Sequence, residues 1–240
     1  SDLLDETREK LRSATTDHDK RVIVANCYSN LLDNLGYTGA SFSDKCGIDK
    51  SIINRWRNYG NTATPYLYDD AEPKTVMRVA KAMTDNDQHL AQNITLVFKG
   101  IPDHAQPLAD LLQETLDDKR TLADAIKQFR IQQGQNQTEF NKVIATPKGD
   151  ALGKIEKGIQ VRKDTLEKFL NIVSIKYSSE IPAELIDAVV KKYGKDTINP
   201  NKDTSETGWA ATIKKKPTGS FVDMLEGQST KPVPNKLPNH

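Results

Sequence analysis

Apolar residues recur at intervals of three and four along the chain, from its start to about residue 194. This spacing places them on one face of successive helices and predicts an all-α protein. Glycines and prolines separate the helical segments, and from residue 195 onward the periodicity stops. The segments predicted as helical lie within residues 1–16, 20–35, 41–60, 73–83, 104–120, 121–134, 137–144, 148–158, 161–177 and 181–194.

Residues 41–60, SFSDKCGIDKSIINRWRNYG, have the pattern of two short helices joined by a tight turn. Gly47 can adopt the left-handed conformation that a sharp turn requires, and Ile48 follows as the apolar residue at the corner. The inward positions of both helices are apolar: Phe42, Cys46, Ile53 and Trp56. This order predicts a helix-turn-helix whose second helix has one face directed outward.

The outward face of this second helix carries basic, hydroxyl and amide side chains. Such side chains contact phosphates and hydrogen-bond base edges in a DNA major groove, Arg with guanine and Asn with adenine. The residues assigned to the groove are Lys50, Ser51, Asn54 and Arg55, and those assigned to the DNA backbone are Arg57 and Asn58. For Asn54, plain solvation is the competing interpretation.

Residues 88–104 break the helical period. The run NITLVFKGIP is rich in β-branched and aromatic residues and ends at Gly100 and Pro102, which is typical of a short strand or an extended connector. The predicted organisation is an N-terminal helix-turn-helix domain (1–86), a connector with this segment and a helix (87–120), a second helix-turn-helix domain (121–194) and a disordered tail (195–240).

The second half repeats the element order of the first, which is evidence for two tandem bundles. A helix ends at Gly134, QTEF begins a short second helix, and a turn at 145–147 leads into a third. The inward positions of the repeat are Leu122, Ala125, Ile126, Phe129, Leu152, Ile155, Leu166, Phe169, Leu170 and Val173.

With QTEF opening the second helix and Ile155-Glu156-Lys157-Gly158 closing the third, residues 121–176 resemble the lambda-repressor-like (Cro-type, XRE-like) helix-turn-helix DNA-binding family. Residues 20–84 resemble it through the turn glycine, corner and inward positions described above. The second motif departs from the family pattern because no glycine occupies its turn. The first departs at Ser43, where the family has a small alanine.

The resemblance implies that Gln137 and Thr138 hold a DNA phosphate at the N-terminus of their helix. The groove residues assigned to the second motif are Lys148, Asp150 and Lys154. Gly149 and Gly153 weaken this third helix by up to ~1 kcal/mol each relative to alanine. Two reading helices in one chain predict an extended site whose halves are centred about 34–36 Å apart.

Charge supports these assignments only locally. The 240 residues include 34 basic and 33 acidic side chains, a formal net charge of +1, which excludes a uniformly basic protein. Residues 41–60 carry four basic against two acidic side chains, and residues 121–163 carry eight against four. Both motifs are therefore more basic than the chain average.

Nothing in the sequence points to catalysis, a metal or a cofactor. Cys27 and Cys46 lie on apolar helix faces and are predicted to be buried thiols. His18, His89 and His104, with the terminal His240, are scattered without metal-ligand spacing, and no phosphate-binding glycine loop occurs. We therefore expect no enzyme activity.

No apolar run approaches the about 18 residues of a membrane span, so a cytoplasmic protein is expected. The tail contains TGSFVDMLEG, in which Phe221, Met224 and Leu225 are candidate anchors for a protein partner; a tethered tail without function is the other interpretation. A homodimer is left open.

The expected function is that of a sequence-specific double-stranded DNA-binding transcriptional regulator, of prokaryotic, phage or mobile-element type, that reads an extended or palindromic operator. The alternative is a protein-interaction adaptor or antitoxin-like protein that uses the same fold as a scaffold.

Overall fold

The computed structural model describes residues 2–57, 66–145 and 150–197. These residues form twelve α-helices and no strand, which confirms the all-α prediction. Residues 1–196 make one compact unit. The helices are α1 Asp2–Ser13, α2 Asp17–Asn34, α3 Gly39–Cys46, α4 Lys50–Arg55, α5 Pro73–Met83, α6 Gln88–Phe98, α7 Leu108–Leu116, α8 Leu122–Gln132, α9 Gln137–Ile144, α10 Ala151–Glu156, α11 Lys163–Lys176 and α12 Ala183–Tyr193.

The strand or extended segment predicted near residue 94 is wrong, because residues 88–98 form α6. The carboxylate of Asp87 caps this helix by accepting a hydrogen bond from the backbone N–H of Leu90 at 3.0 Å. Every side chain from Asn93 to Phe98 is buried, so α6 is covered around its circumference at this end. A helix buried on all sides needs no polar face, and its β-branched residues therefore lack the usual amphipathic period.

The first hydrophobic cluster gathers residues of α1 to α6 around Tyr28. The Tyr28 ring meets Trp56 and Phe98 edge to face, each at a centroid distance of 5.9 Å, and its hydroxyl donates to the carbonyl of Ile53 at 2.9 Å. The core predicted for the first helix-turn-helix is confirmed, because this cluster buries Phe42, Cys46, Ile48, Ile53 and Trp56. Val76 and Val79 of α5 belong to the same cluster.

The second cluster joins α7 to α12. Phe129, Phe140 and Tyr177 form its aromatic centre, and the rings of Phe140 and Tyr177 stack at 4.9 Å. After α12, the chain returns to Val161, where the backbone N–H of Lys195 donates to its carbonyl at 2.9 Å. The inward positions predicted for residues 122–173 are all buried here.

Side-chain amides hold the segment between the two clusters. The Nε2 of Gln128 donates to the carbonyl of His104 at 3.0 Å, and the Nε2 of Gln132 donates to that of Gln106 at 2.6 Å. Residues of α6 lie in the first cluster and residues of α7 in the second. The domain boundaries at residues 86 and 121 stay a prediction.

Gly134, at the end of α8, packs directly on Met77 of α5. Its φ is +69°, and a Cβ built on it would lie 2.7 Å from the Cβ of Met77. Only glycine fits both the left-handed conformation and this close approach.

Gly134→Ala is expected to lower the free energy of unfolding by about 3 kcal/mol, because it adds overpacking against Met77 to the left-handed strain. The matched control is Gly158→Ala, which has φ +72° and no neighbour within 4 Å of a built Cβ. That variant should lose only about 1 kcal/mol. Urea unfolding of both variants measures the difference, and equal losses would contradict the packing argument.

Candidate nucleic-acid interface

The first helix-turn-helix turns at Gly47, as the sequence predicts. Gly47 has φ 68° and ψ 30°, and its N–H donates to the carbonyl of Ser43 at 2.9 Å. The Ser43 hydroxyl donates to the carbonyl of Ile48 at 2.6 Å, so the residue that departs from the family pattern bridges the turn. The chain then enters α4 with its direction held by hydrogen bonds.

Asp49 caps α4, a role for which the sequence analysis assigned no residue. Its carboxylate accepts from the backbone N–H of Ser51 at 2.7 Å, and hydrogen bonds from Ser51 lower the pKa of this carboxyl. An aspartate just before the first helical residue was the available sequence signal. Stability from this cap is complete above the ordinary pKa of aspartate and is lost as the pH falls through the lowered folded-state value.

The predicted groove residues of the first motif do lie together on one exposed side of α4. We call this side the outer face of α4; its residues are Lys50, Ser51, Asn54 and Arg55. Ile53 and Trp56 are buried beneath it, at 0% and 4% exposure. Within the described residues, the side chains of Lys50, Asn54 and Arg55 form no hydrogen bond or ion pair, and all three residues are exposed.

Two further residues assigned to the first motif differ from this group. Arg57 forms an ion pair with Asp33 of α2, with its Nη1 donating to Oδ1 at 3.0 Å, so its guanidinium is engaged within the chain. Asn58 lies outside the described residues.

The amide of Asn54 lies against Gly39, where an added Cβ would be 2.0 Å from Oδ1. Gly39 therefore leaves space for the Asn54 side chain at the start of α3.

The second turn uses alanine where the first uses glycine. Ala145 ends α9 with φ 47° and ψ 45°, and its N–H donates to the carbonyl of Asn141 at 3.0 Å. In this turn, which has no glycine, Ala145 adopts the left-handed conformation instead. This conformation costs ~1–2 kcal/mol of stability for a residue other than glycine. Residues 146–149, including Lys148, lie outside the described residues.

A buried ion pair anchors α10 to α8. The Nε of Arg130 donates to Oε1 of Glu156 at 2.8 Å, and the two side chains are 9% and 4% exposed. Gln137 also donates to Glu156, while Thr138 beside it is exposed. The side chain of Gln137 is therefore tied to the third helix of its own motif. In the sequence, Arg130 and Glu156 are recognisable only as charges, because they lie 26 residues apart.

Asp150 caps α10, although the sequence analysis assigned it to the groove. Its Oδ1 accepts from the backbone N–H of Gly153 at 2.7 Å, so the carboxylate is engaged inside the chain. A Cβ on Gly153 would lie 2.0 Å from Oδ2 of Asp150. The glycine expected to weaken this helix thus makes room for its cap. Lys154 is exposed on the same helix.

Comparisons of the chain with family models, with curated proteins and with solved structures found no match. Among the helices described above, none is long and apolar enough to cross a membrane. The described ranges contain no group of three or more His, Cys, Asp or Glu side chains placed to hold a metal ion. The candidate interface therefore rests on the conformations of Gly47 and Ala145 and on the helices α4 and α10.

Replacing Ala145 by glycine is expected to stabilise the protein by about 0.5–1 kcal/mol. The relief of left-handed strain exceeds the added entropy of the unfolded chain. The reverse change in the other motif, Gly47→Ala, should destabilise by about 1 kcal/mol, since nothing lies within 4 Å of a built Cβ and only backbone strain acts. Thermal unfolding of both variants tests the opposite signs.

Glu156→Ala is expected to cost about 3 kcal/mol or more, because it leaves the Arg130 guanidinium buried without its countercharge. Glu9→Ala is the control, since it removes an ion pair with Arg12 whose side chains are 44% and 74% exposed. Its cost should be about 0.5 kcal/mol or less. Comparable losses in chemical denaturation would show that the Arg130 pair contributes no more than a surface pair.

Proposed function

We propose that the protein is a sequence-specific double-stranded DNA-binding transcriptional regulator, of prokaryotic, phage or mobile-element type, in which α4 reads the major groove. The outer face of α4 is the observation that carries this proposal. It combines exposed cationic and amide groups with a helix fixed from below by Ile53 and Trp56. A reading helix needs both properties, since positioned side chains discriminate bases and a mobile helix does not.

Each side chain of this face has a definite task in the proposal. Arg55 donates two hydrogen bonds to a guanine edge, and Asn54 pairs with an adenine edge. Lys50, at the first position of α4, neutralises a backbone phosphate. Asp49 and Ser51 are joined by the cap and set the start of the helix. Arg57 is left out of the contact set because Asp33 already binds it.

The second motif contributes a smaller contact set. Thr138, in the first turn of α9, and Lys154, on α10, are exposed and positioned on the helices that the family resemblance assigns to DNA. Gln137 and Asp150 make contacts inside the chain and are not included. Both motifs belong to one compact unit, so we expect their half-sites to keep one spacing.

Arg55→Ala is expected to weaken binding to the preferred site by roughly 10- to 100-fold, the equivalent of one lost bidentate base contact. The site is first obtained by in vitro selection from random duplexes with the full chain. Lys10→Ala, which removes an exposed charge from α1, is the control and should retain nearly full affinity. A gel-shift titration measures both variants. Unchanged affinity of Arg55→Ala would exclude α4 as the reading helix.

The salt dependence of binding separates the regulator from the adaptor. A DNA-binding protein loses affinity steeply as salt rises, with a log–log slope of about −0.9 per phosphate contacted. An adaptor enriches no sequence in the selection and shows no such slope. The symmetry of an enriched site also reports stoichiometry, because a palindrome indicates a dimer.

A further inference from the structure

A cleft of about 470 Å³ opens between α3, α5 and the end of α8. We call it the basic cleft; its charged lining residues are Lys45, Lys74, Arg78, Lys81 and Asp85. The residues contributed by α5 follow the spacing of one helix face, and Met77 and Ala82 supply apolar surface between the charges. Gly134 closes the cleft from the second half of the chain.

The cations of the basic cleft greatly outnumber its anions. Within the described residues, the side chains of Lys74, Arg78 and Lys81 form no hydrogen bond or ion pair. Lys45 pairs with Asp85 at 2.6 Å, and this carboxylate is the single acidic group of the lining. The ammonium group of Lys45 donates hydrogen bonds to Asp85 and Tyr37, and these bonds raise its pKa, so it is also charged at neutral pH.

Lys74, Arg78 and Lys81 stand at successive intervals of four and three along α5, so their charges are neighbours that repel one another. In a chain with a net charge of only +1, three neighbouring cations without partners are a local excess. An anion with more than one negative charge would relieve the repulsion and bind all three.

We propose that the basic cleft is a binding site for phosphate groups. A phosphate ester carries about −1.5 to −2 charges and several acceptor oxygens, which match two ammonium groups and the forked guanidinium of Arg78. The volume suits a ligand with two or three linked phosphates and a small organic part, since ligand sites commonly enclose about 300–1,000 Å³. The phosphates come either from such a free small molecule or from a DNA backbone.

The cleft lies next to the first turn. Lys45 and Cys46 end α3 immediately before Gly47, and Gly134 packs on Met77 of the cleft floor. A ligand here touches both halves of the chain and the first helix-turn-helix without covering the outer face of α4. With a free polyphosphate as ligand the inference does not depend on the proposed function, because such a molecule can bind whether or not the protein binds DNA. With the DNA backbone as ligand it rests on the proposed function.

The test compares two triple variants of the full chain by isothermal titration with inorganic tripolyphosphate at low salt. Lys74→Ala, Arg78→Ala and Lys81→Ala together remove the free cations of the cleft. The control combines Lys168→Ala, Lys176→Ala and Lys191→Ala, which remove the same charge from exposed positions on α11 and α12. Tripolyphosphate affinity should fall at least tenfold in the cleft variant and less than twofold in the control.

A second arm identifies the source of the phosphates, with DNA titrated at several salt concentrations. If the wild type binds no tripolyphosphate but the cleft variant loses about 2–3 units of log–log salt slope, the DNA backbone is the ligand. Equal effects of both variants in both arms would overturn the proposal, as would an absence of binding in both. If circular dichroism shows that the triple variant is unfolded, the single variant Arg78→Gln replaces it in both titrations.

Discussion

Asn93 lies buried in the middle of α6, and its amide has partners in three parts of the chain. Its Oδ1 accepts from the guanidinium of Arg8 at 3.0 Å and from the backbone N–H of Ala105 at 3.1 Å. Its Nδ2 donates to the carbonyl of His89 at 3.0 Å. Because an unpaired buried polar group is costly, these partners must stay in place together. Asn93 therefore joins α1 and the segment after α6 to the same point of α6.

The two helix-turn-helix turns reach the same left-handed geometry with different residues. Gly47 adopts it without a steric penalty, and the hydroxyl of Ser43 adds a hydrogen bond across the turn. Ala145 adopts it under strain, which the surrounding packing must offset. The second motif also contains the buried pair of Arg130 and Glu156, which joins α8 to α10. The two motifs therefore share an element order but differ in the residues that hold their turns and helices.

Positive charge is divided among three environments. Arg8 and Arg130 are buried and bonded within the fold, where they orient helices. Lys50 and Arg55 are exposed on α4, and a further group of cations surrounds the basic cleft. A near-neutral total charge conceals this arrangement, since long-range attraction to an anion depends on where the charges lie. The same residue types therefore have structural roles in one place and face solvent in another.

The sequence by itself determined the helical class, the first turn and most of the two cores, because these follow from local spacing and from the freedom of Gly47. It could not identify α6, because the burial of every side chain from Asn93 to Phe98 removes the amphipathic period there. It also could not show that Asp150 caps a helix while Lys154 is exposed, or that Arg57 forms an ion pair while Arg55 does not. Capping and ion pairing depend on neighbours such as Gly153 and Asp33. The tertiary structure decided which polar groups hold the fold together and which remain on the surface.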